Sequence, residues 1–197
     1  MNKKEEKNVH QKRESGKGRT AGFREIVNDY RSRIYNTAYG IVQDTEDAKD
    51  ITQEVFLKIF EKMETFKGEA RFSTWIYRIT VNTCIDMLRK KKPGAQVMWQ
   101  EELDYDPRLA DNASGVSRPA SPFEATYQTE LKKKIKEAFL KLSPEHRTAL
   151  VLREIEGLSY QEIADSLECS VGTVMSRLHY ARKRMQKLLA PVWGGPK

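Results

Sequence analysis

An all-α fold, two small helical domains joined by a flexible linker, is predicted by three observations. Apolar residues recur at spacings of three and four over most of the chain, a proline-bearing acidic stretch near the middle keeps no period, and no segment alternates as a half-buried strand does. Hydrophobic residues fill 39% of the 197 positions, low for one large core and better suited to two compact domains. The 35 Lys and Arg outnumber the 28 Asp and Glu, giving a formal charge of +7. That balance favours a polyanionic partner and bears on association, not on fold.

Residues 1–20 mix both charges without an apolar run, so they read as a disordered basic tail and not as a signal peptide. No stretch approaches the ~18 apolar residues of a membrane span, and direct membrane insertion is not expected. Cys84 and Cys169 lie in helical segments outside any CxxC pair, which suits reduced thiols and a cytoplasmic protein.

The first domain is expected over residues 21–92. Phe23, Ile26, Val27, Tyr30, Ile34, Ala38 and Ile41 form one stripe of a helix ending near Val42. Asp44 is placed to cap a second helix, with Asp47 at N3 and an inner face of Ala48, Ile51, Val55, Ile59 and Met63. KGEAR ends it. Ser73 is then expected to cap a third helix, which runs to Pro93 and finishes on four cations suited to a helix C-terminus. Residues 93–128 carry four prolines and the acidic cluster Glu101, Glu102, Asp104 and Asp106, and are predicted to be linker.

The second domain is expected over 129–190, with 191–197 as a tail. LKKKIKEAFLKL opens it, and SPEHRTALVLREIEG follows with Ser143 at N-cap, Pro144 at N1 and Gly157 at C′. Next comes GLSYQEIADSLECSVGTVMSRLHYARKR, in which Ser159 and Glu162 form an S-x-x-E capping box on a helix of two turns. Such a helix is stable only when packed. After the turn ECS, Ser170 caps a long helix whose core side is Val171, Val174, Leu178, Ala181, Met185 and Leu188. The other side offers Gly172, Thr173, Met175, Ser176, Arg177 and Tyr180, followed by Arg182, Lys183 and Arg184. Helix, tight turn and basic helix in this order make a helix-turn-helix, whose second helix meets base edges in a major groove through its N-terminal residues.

The third helix carries a different surface. Trp75, Arg78, Asn82 and Arg89 share a stripe with Phe72 at its start, a combination that suits unstacked bases and a single-strand backbone. A core role for Trp75 with solvated arginines accounts equally well for the residue types. On the second helix Asp47, Asp50 and Glu54 lie opposite the apolar stripe, an arrangement suited to cations on a partner or to plain solvation. A metal-dependent hydrolase or lyase using Asp47 and Asp50 is disfavoured, because His10, His146 and His179 are scattered and no cluster has metal spacing. No metal, cofactor or catalytic residue is therefore assigned.

DTEDAKDITQEVFLKIFEKMETFKGEARFSTWIYRITVNTCIDMLRKKK resembles region 2, and LSPEHRTALVLREIEGLSYQEIADSLECSVGTVMSRLHYARKRM resembles region 4, of the extracytoplasmic-function sigma factors, in the RpoE-like branch of the sigma-70 family. Met175 and Tyr180 depart from that branch, which often has basic residues there. The resemblance implies a non-catalytic initiation factor that binds core RNA polymerase, directs it to promoters and helps open the DNA. It implies that Asp47, Asp50, Gln53 and Glu54 dock on the β′ clamp helices. It also implies that the third helix captures an extruded minus-ten base, that region 4 reads the minus-thirty-five duplex beside the β flap, and that the protein acts at the nucleoid. A restraining anti-sigma factor belongs to the same expectation, and a membrane-anchored one is consistent with it. A linker of about 36 residues spans about 35 Å on average, and elements about 17 base pairs apart are separated by about 58 Å. The two domains supply the rest. The alternative is a stand-alone helix-turn-helix regulator, which footprints an operator without polymerase.

Overall fold

The computed structural model describes residues 16–66, 68, 70–91 and 122–192. The tail before residue 16, most of the linker with its acidic cluster, and residues 193–197 lie outside them. Helices form every long element, and no strand occurs among the described residues.

Helix α1 spans Gly16–Val42 and so takes in the last residues of the expected tail. It buries Ile26, Tyr30, Ile34, Ala38 and Ile41, the anticipated stripe. Gln43 ends it at a φ of 60°, with its side-chain amide donating to the Gly40 carbonyl at 2.7 Å. Asp44 then caps α2, Thr45–Lys62, its Oδ1 accepting from the N–H groups of Glu46 and Asp47, each at 3.0 Å. The Asp47 amide bond holds the Asp44 carboxyl below the ordinary carboxylate value.

Helix α3, Phe72–Lys91, begins two residues before the start that a Ser73 cap implies, so Ser73 lies inside its first turn and does not cap it. Packing accounts for the shift. Phe72 is buried against Tyr30, Phe66 and Trp75, with ring centroids 6.1, 5.4 and 5.5 Å away, and it draws the chain into the helix early. Helices α1, α2 and α3 close on one another as a three-helix bundle.

The second bundle opens with α4, Pro122–Leu140, which starts within the residues assigned above to the linker. Pro122 suits a first helical position, and Phe123, Tyr127, Leu131 and Ile135 already step by four. Helix α5, Pro144–Leu150, is capped by Ser143, whose Oγ accepts from the His146 N–H at 3.4 Å. The single helix expected to Gly157 is interrupted by a π turn, Val151–Ile155, before Gly157 takes the left-handed φ of 69° that a glycine tolerates.

Helix α6, Tyr160–Leu167, and helix α7, Val171–Leu189, form the helix-turn-helix. Ser159 and Glu162 make both bonds of the capping box, and Ser170 Oγ accepts from the Thr173 N–H at 3.0 Å. Bonds from the Ser159 backbone and hydroxyl, then the nearby Arg71, hold the Glu162 carboxyl below its ordinary 4.5. A carboxyl so lowered contributes stability above pH 4.5 that is lost as pH falls through its depressed value. Ser159→Ala is expected to lower unfolding free energy by about 1 kcal/mol at neutral pH. The loss should shrink in acid once Glu162 is protonated. Thermal melts at neutral pH and well below pH 4.5 check both statements.

The two bundles are not separate cores. Buried residues from both belong to one continuous apolar cluster, in which α1 meets α5 and the π turn while α3 meets α6. Gly40 marks the close approach: a Cβ there would lie 2.8 and 3.0 Å from the two methyls of Val151. Arg147, 6% exposed, spans the seam. Its guanidinium donates to the carbonyls of Ile41 at 2.6 Å, Phe139 at 2.9 Å, Leu142 at 3.0 Å and Leu140 at 3.3 Å. One cation thus bonds carbonyls at the C-terminal end of α1 and at and just beyond that of α4, where the helix dipoles are negative.

Candidate nucleic-acid and polymerase interface

Helix α2 keeps its apolar residues inside and its carboxylates outside, but the carboxylates are not equivalent. Asp47 is largely covered, holding Lys91 at the end of α3 through both oxygens. Glu54 pairs with Lys58 at 2.7 Å, and Lys58 also donates to Thr83 Oγ1 at 3.0 Å. Asp50 and Gln53 are exposed. Of the four candidates, Asp47 therefore has a structural job as well: it ties the second helix to the third.

The stripe on α3 divides similarly. Phe72, expected beside the strand-contact stripe, is 6% exposed and packs in the core. The cause is its aromatic neighbours. Trp75 is half-buried, leaning on Phe66 and Phe72 with centroids 5.2 and 5.5 Å away. Asn82 and Arg89 are exposed, and Arg89 stands 3.8 Å from Asp86. Arg78 faces the other bundle, where it pairs with Glu168 at 3.0 Å and donates to the Asp165 carbonyl at 2.8 Å. Of the expected stripe, Asn82 and Arg89 are thus open to solvent, Trp75 is partly covered and Arg78 is engaged by the second bundle.

On α7, Gly172 is exposed, and Thr173, Met175, Ser176 and Tyr180 are half-exposed along the front of the helix. Ser170 and Thr173 join through their hydroxyls at 2.9 Å, and Ser176 Oγ bonds back to the Thr173 carbonyl at 3.0 Å. Tyr180 packs its ring 6.1 Å from His146. Arg177 departs from the expected exposed side: it is 8% exposed and reaches Cys169 Sγ in the turn at 3.8 Å. The helix rotates it toward α6 and α5 because Val174, Leu178 and Ala181 fix the buried side within a turn of it. Further along, Arg182 pairs with Glu154 at 2.8 Å, while Lys183 and Arg184 are exposed.

Glu168 carries the turn at a φ of 52°. A left-handed residue with a Cβ costs about 1–3 kcal/mol, and glycine is the usual occupant of a helix C-terminal position of this kind. Sequence reasoning passed over Glu168, Arg147, Gly40 and Glu156. Only the unglycinated turn and the arginine set in an apolar run, EHRTALVL, were visible as signals.

Among the described residues no group of three or more His, Cys, Asp and Glu gathers as a metal site, and no helix is long and apolar enough to cross a membrane. Fold and surface together define an all-helical, two-bundle protein whose second bundle carries a capped helix-turn-helix. The chain matches the families Sigma-70 region 2 over residues 26–93 and Sigma-70, region 4 over residues 132–185. It is 37% identical over 177 residues to the ECF RNA polymerase sigma factor SigW of Bacillus subtilis, covering 88% of this chain and 91% of that one. It is 33% identical over 178 residues to the RNA polymerase sigma-H factor of Pseudomonas aeruginosa, covering 89% of this chain and 90% of that one. The solved structure of the sigma factor RpoE with the anti-sigma factor NepR from Bartonella quintana shares the fold at a TM-score of 0.61 and 22% identity, covering 85% of this chain and 96% of that one. CnrH, solved with the cytosolic domain of CnrY, gives a TM-score of 0.62 at 21% identity, covering 87% of this chain and 90% of that one. The chain belongs to the sigma-70 family and is an RNA polymerase sigma factor of the extracytoplasmic-function type. A stand-alone helix-turn-helix regulator is not favoured, since region 2 accompanies region 4.

Proposed function

We propose that this sigma factor performs no bond chemistry itself, and that it holds core RNA polymerase with one face and promoter DNA with two others. Asp50, Gln53 and Glu54 on α2 meet cations of the β′ clamp helices, with Asp47 contributing as the anchor that fixes the end of α3. Trp75, Arg78, Asn82 and Arg89 hold the opened minus-ten strand by stacking, hydrogen bonding and charge. Ser170, Gly172, Thr173, Met175, Ser176 and Tyr180 face the minus-thirty-five duplex beside the β flap. The observation that carries this reading is exposed Asn82 and Arg89 on one helix, α3, in a chain whose α7 offers a capped N-terminus.

Buried Arg177 supports that surface from behind. An anti-sigma partner, consistent with a membrane-anchored one, is supported by the fold shared with RpoE, which was solved with the anti-sigma factor NepR. Action in the cytoplasm at the nucleoid fits a polymerase subunit.

Run-off transcription with purified core polymerase tests the whole proposal. The chain should start transcripts only with core enzyme, and permanganate should find the minus-ten thymines unpaired. Tight footprinting by the chain alone at physiological salt, without transcripts on adding core, favours a repressor instead. Asn82→Ala should weaken opening by about 0.5–1.5 kcal/mol for each hydrogen bond to a base that is lost. Its exposed position leaves core binding and melting temperature intact. Normal permanganate reactivity in that variant would remove Asn82 from the strand face.

A further inference from the structure

We propose that His146, in the first turn of α5, is a positioning residue for the minus-thirty-five contact: its ring holds Tyr180 at the edge of the DNA-facing side of α7. The proposal rests on the reading of Tyr180 as a duplex contact given above. Helical period puts Tyr180 on a border. It follows Ser176, on the front of α7, by four residues and Arg177, 8% exposed, by three, so α7 alone does not decide which way its ring leans. Two rings meet it. His179 stands next to it on α7, with centroids 5.7 Å apart and planes at 77°, whereas His146 comes from another helix, 6.1 Å away at 46°. A neighbour on α7 moves with Tyr180, and a neighbour on α5 fixes it relative to the rest of the bundle.

The cap of α5 fixes His146 in turn. Ser143 Oγ accepts from the His146 N–H at 3.4 Å and lies 3.0 Å from Nδ1 of the same residue. A hydroxyl that is already accepting still has its own proton to give, so the arrangement suits a neutral ring in which Nδ1 accepts and Nε2 carries the hydrogen. Contacts thus run from a helix cap, through His146, to the recognition helix.

The charge state of that ring separates positioning from plain packing. Burial holds the His146 pKa below its ordinary 6.5, Glu145 beside it on α5 opposes this, and Arg177 from α7 adds to it. Among the described residues those two are the charges that act on the ring, and Tyr180 is the titratable group in contact with it. Protonation makes Nδ1 a donor, so the Ser143 hydroxyl must turn its own hydrogen away, and it sets a second cation near Arg177. A histidine whose folded value is lowered favours the fold while neutral, a contribution lost as pH falls below 6.5 towards that lowered value. The support of Tyr180 should fail in the same window.

The full chain assembled with core polymerase, on a promoter that it transcribes, tests this by competition for promoter fragments from about pH 8 to about pH 5.5. His146→Ala should weaken promoter binding about two- to tenfold, the worth of one ring pair, and should add nothing in a Tyr180→Ala background. His146→Phe keeps a ring and cannot be charged, so it should restore binding. The ratio of wild-type to His146→Phe affinity should fall in acid, a comparison in which the titration of His179 and of the polymerase cancels. Helicity and melting of each variant are measured first, so that a lost fold does not pass for a lost contact.

Equal losses from His146→Ala with and without the Tyr180 ring overturn the positioning, and a ratio that stays constant with pH reduces His146 to packing and overturns it too. A ratio that rises in acid also overturns it, because it marks a charged imidazole resting on a phosphate. Tyr180→Ala weakened with His146→Ala unchanged sinks the positioning alone, whereas unchanged binding in Tyr180→Ala sinks the duplex contact beneath it.

Discussion

Core polymerase affinity is expected to fall by about a hundredfold or more when Asp50 and Glu54 are both replaced by lysine, because like charges facing each other across an interface cost several kcal/mol. The fold should survive. Asp50 is exposed, and Glu54 gives up only a pair with Lys58, worth about 0.3–0.5 kcal/mol for a helix i,i+4 arrangement. Asp47 is left in place because its bond to Lys91 joins α2 to α3, and its loss would confuse docking with folding. Helicity and melting come first, then competition with another sigma factor for core enzyme. A folded double variant that competes like wild type would show that this face is merely solvated.

Arg147→Ala is expected to cost about 3 kcal/mol or more of unfolding free energy, since it removes a guanidinium bonded to four backbone carbonyls and leaves the buried ones, of Ile41 and Leu142, without that donor. Lysine should rescue little. A single ammonium cannot fork to carbonyls on α1 and α4 together, whereas the planar guanidinium does. Urea unfolding with an unchanged m-value would measure the loss, and a reduced m-value would show that the bundles had uncoupled. Wild-type stability in Arg147→Ala would mean that water satisfies those carbonyls as well as the side chain does.

The legible parts of this fold were those decided within a turn or two of chain. Asp44, Ser143, Ser159 and Ser170 each announce a helix start because the donors they satisfy lie two or three residues away. Apolar stripes named the inner faces of α1, α2 and α7 for the same reason: helical period converts spacing into direction. The candidate surfaces were legible to that extent. Asp50, Gln53 and Asn82 stand outside, as a face opposite a stripe must.

Phe72 and Arg177 show the limit. Each lies beside the boundary between faces, and there the neighbours decide: three aromatic rings take Phe72 inward, and Cys169 lies beside the head of Arg177. The period of α4 was present in Phe123, Tyr127 and Leu131 but hidden by the prolines around it. The π turn had no local signal, and its Val151 lies against Gly40, more than a hundred residues away.

By itself, then, the sequence determined which segments are helical, where most of them begin, and the two regions that make this a sigma factor, since all three depend on local pattern. Only the tertiary structure decided that the bundles share a core, that Arg147 serves two helix ends, and that Glu162 and Glu168 pair with Arg71 and Arg78. Those partners are separated by up to 106 residues along the chain, and a contact at that separation is fixed by packing rather than by period.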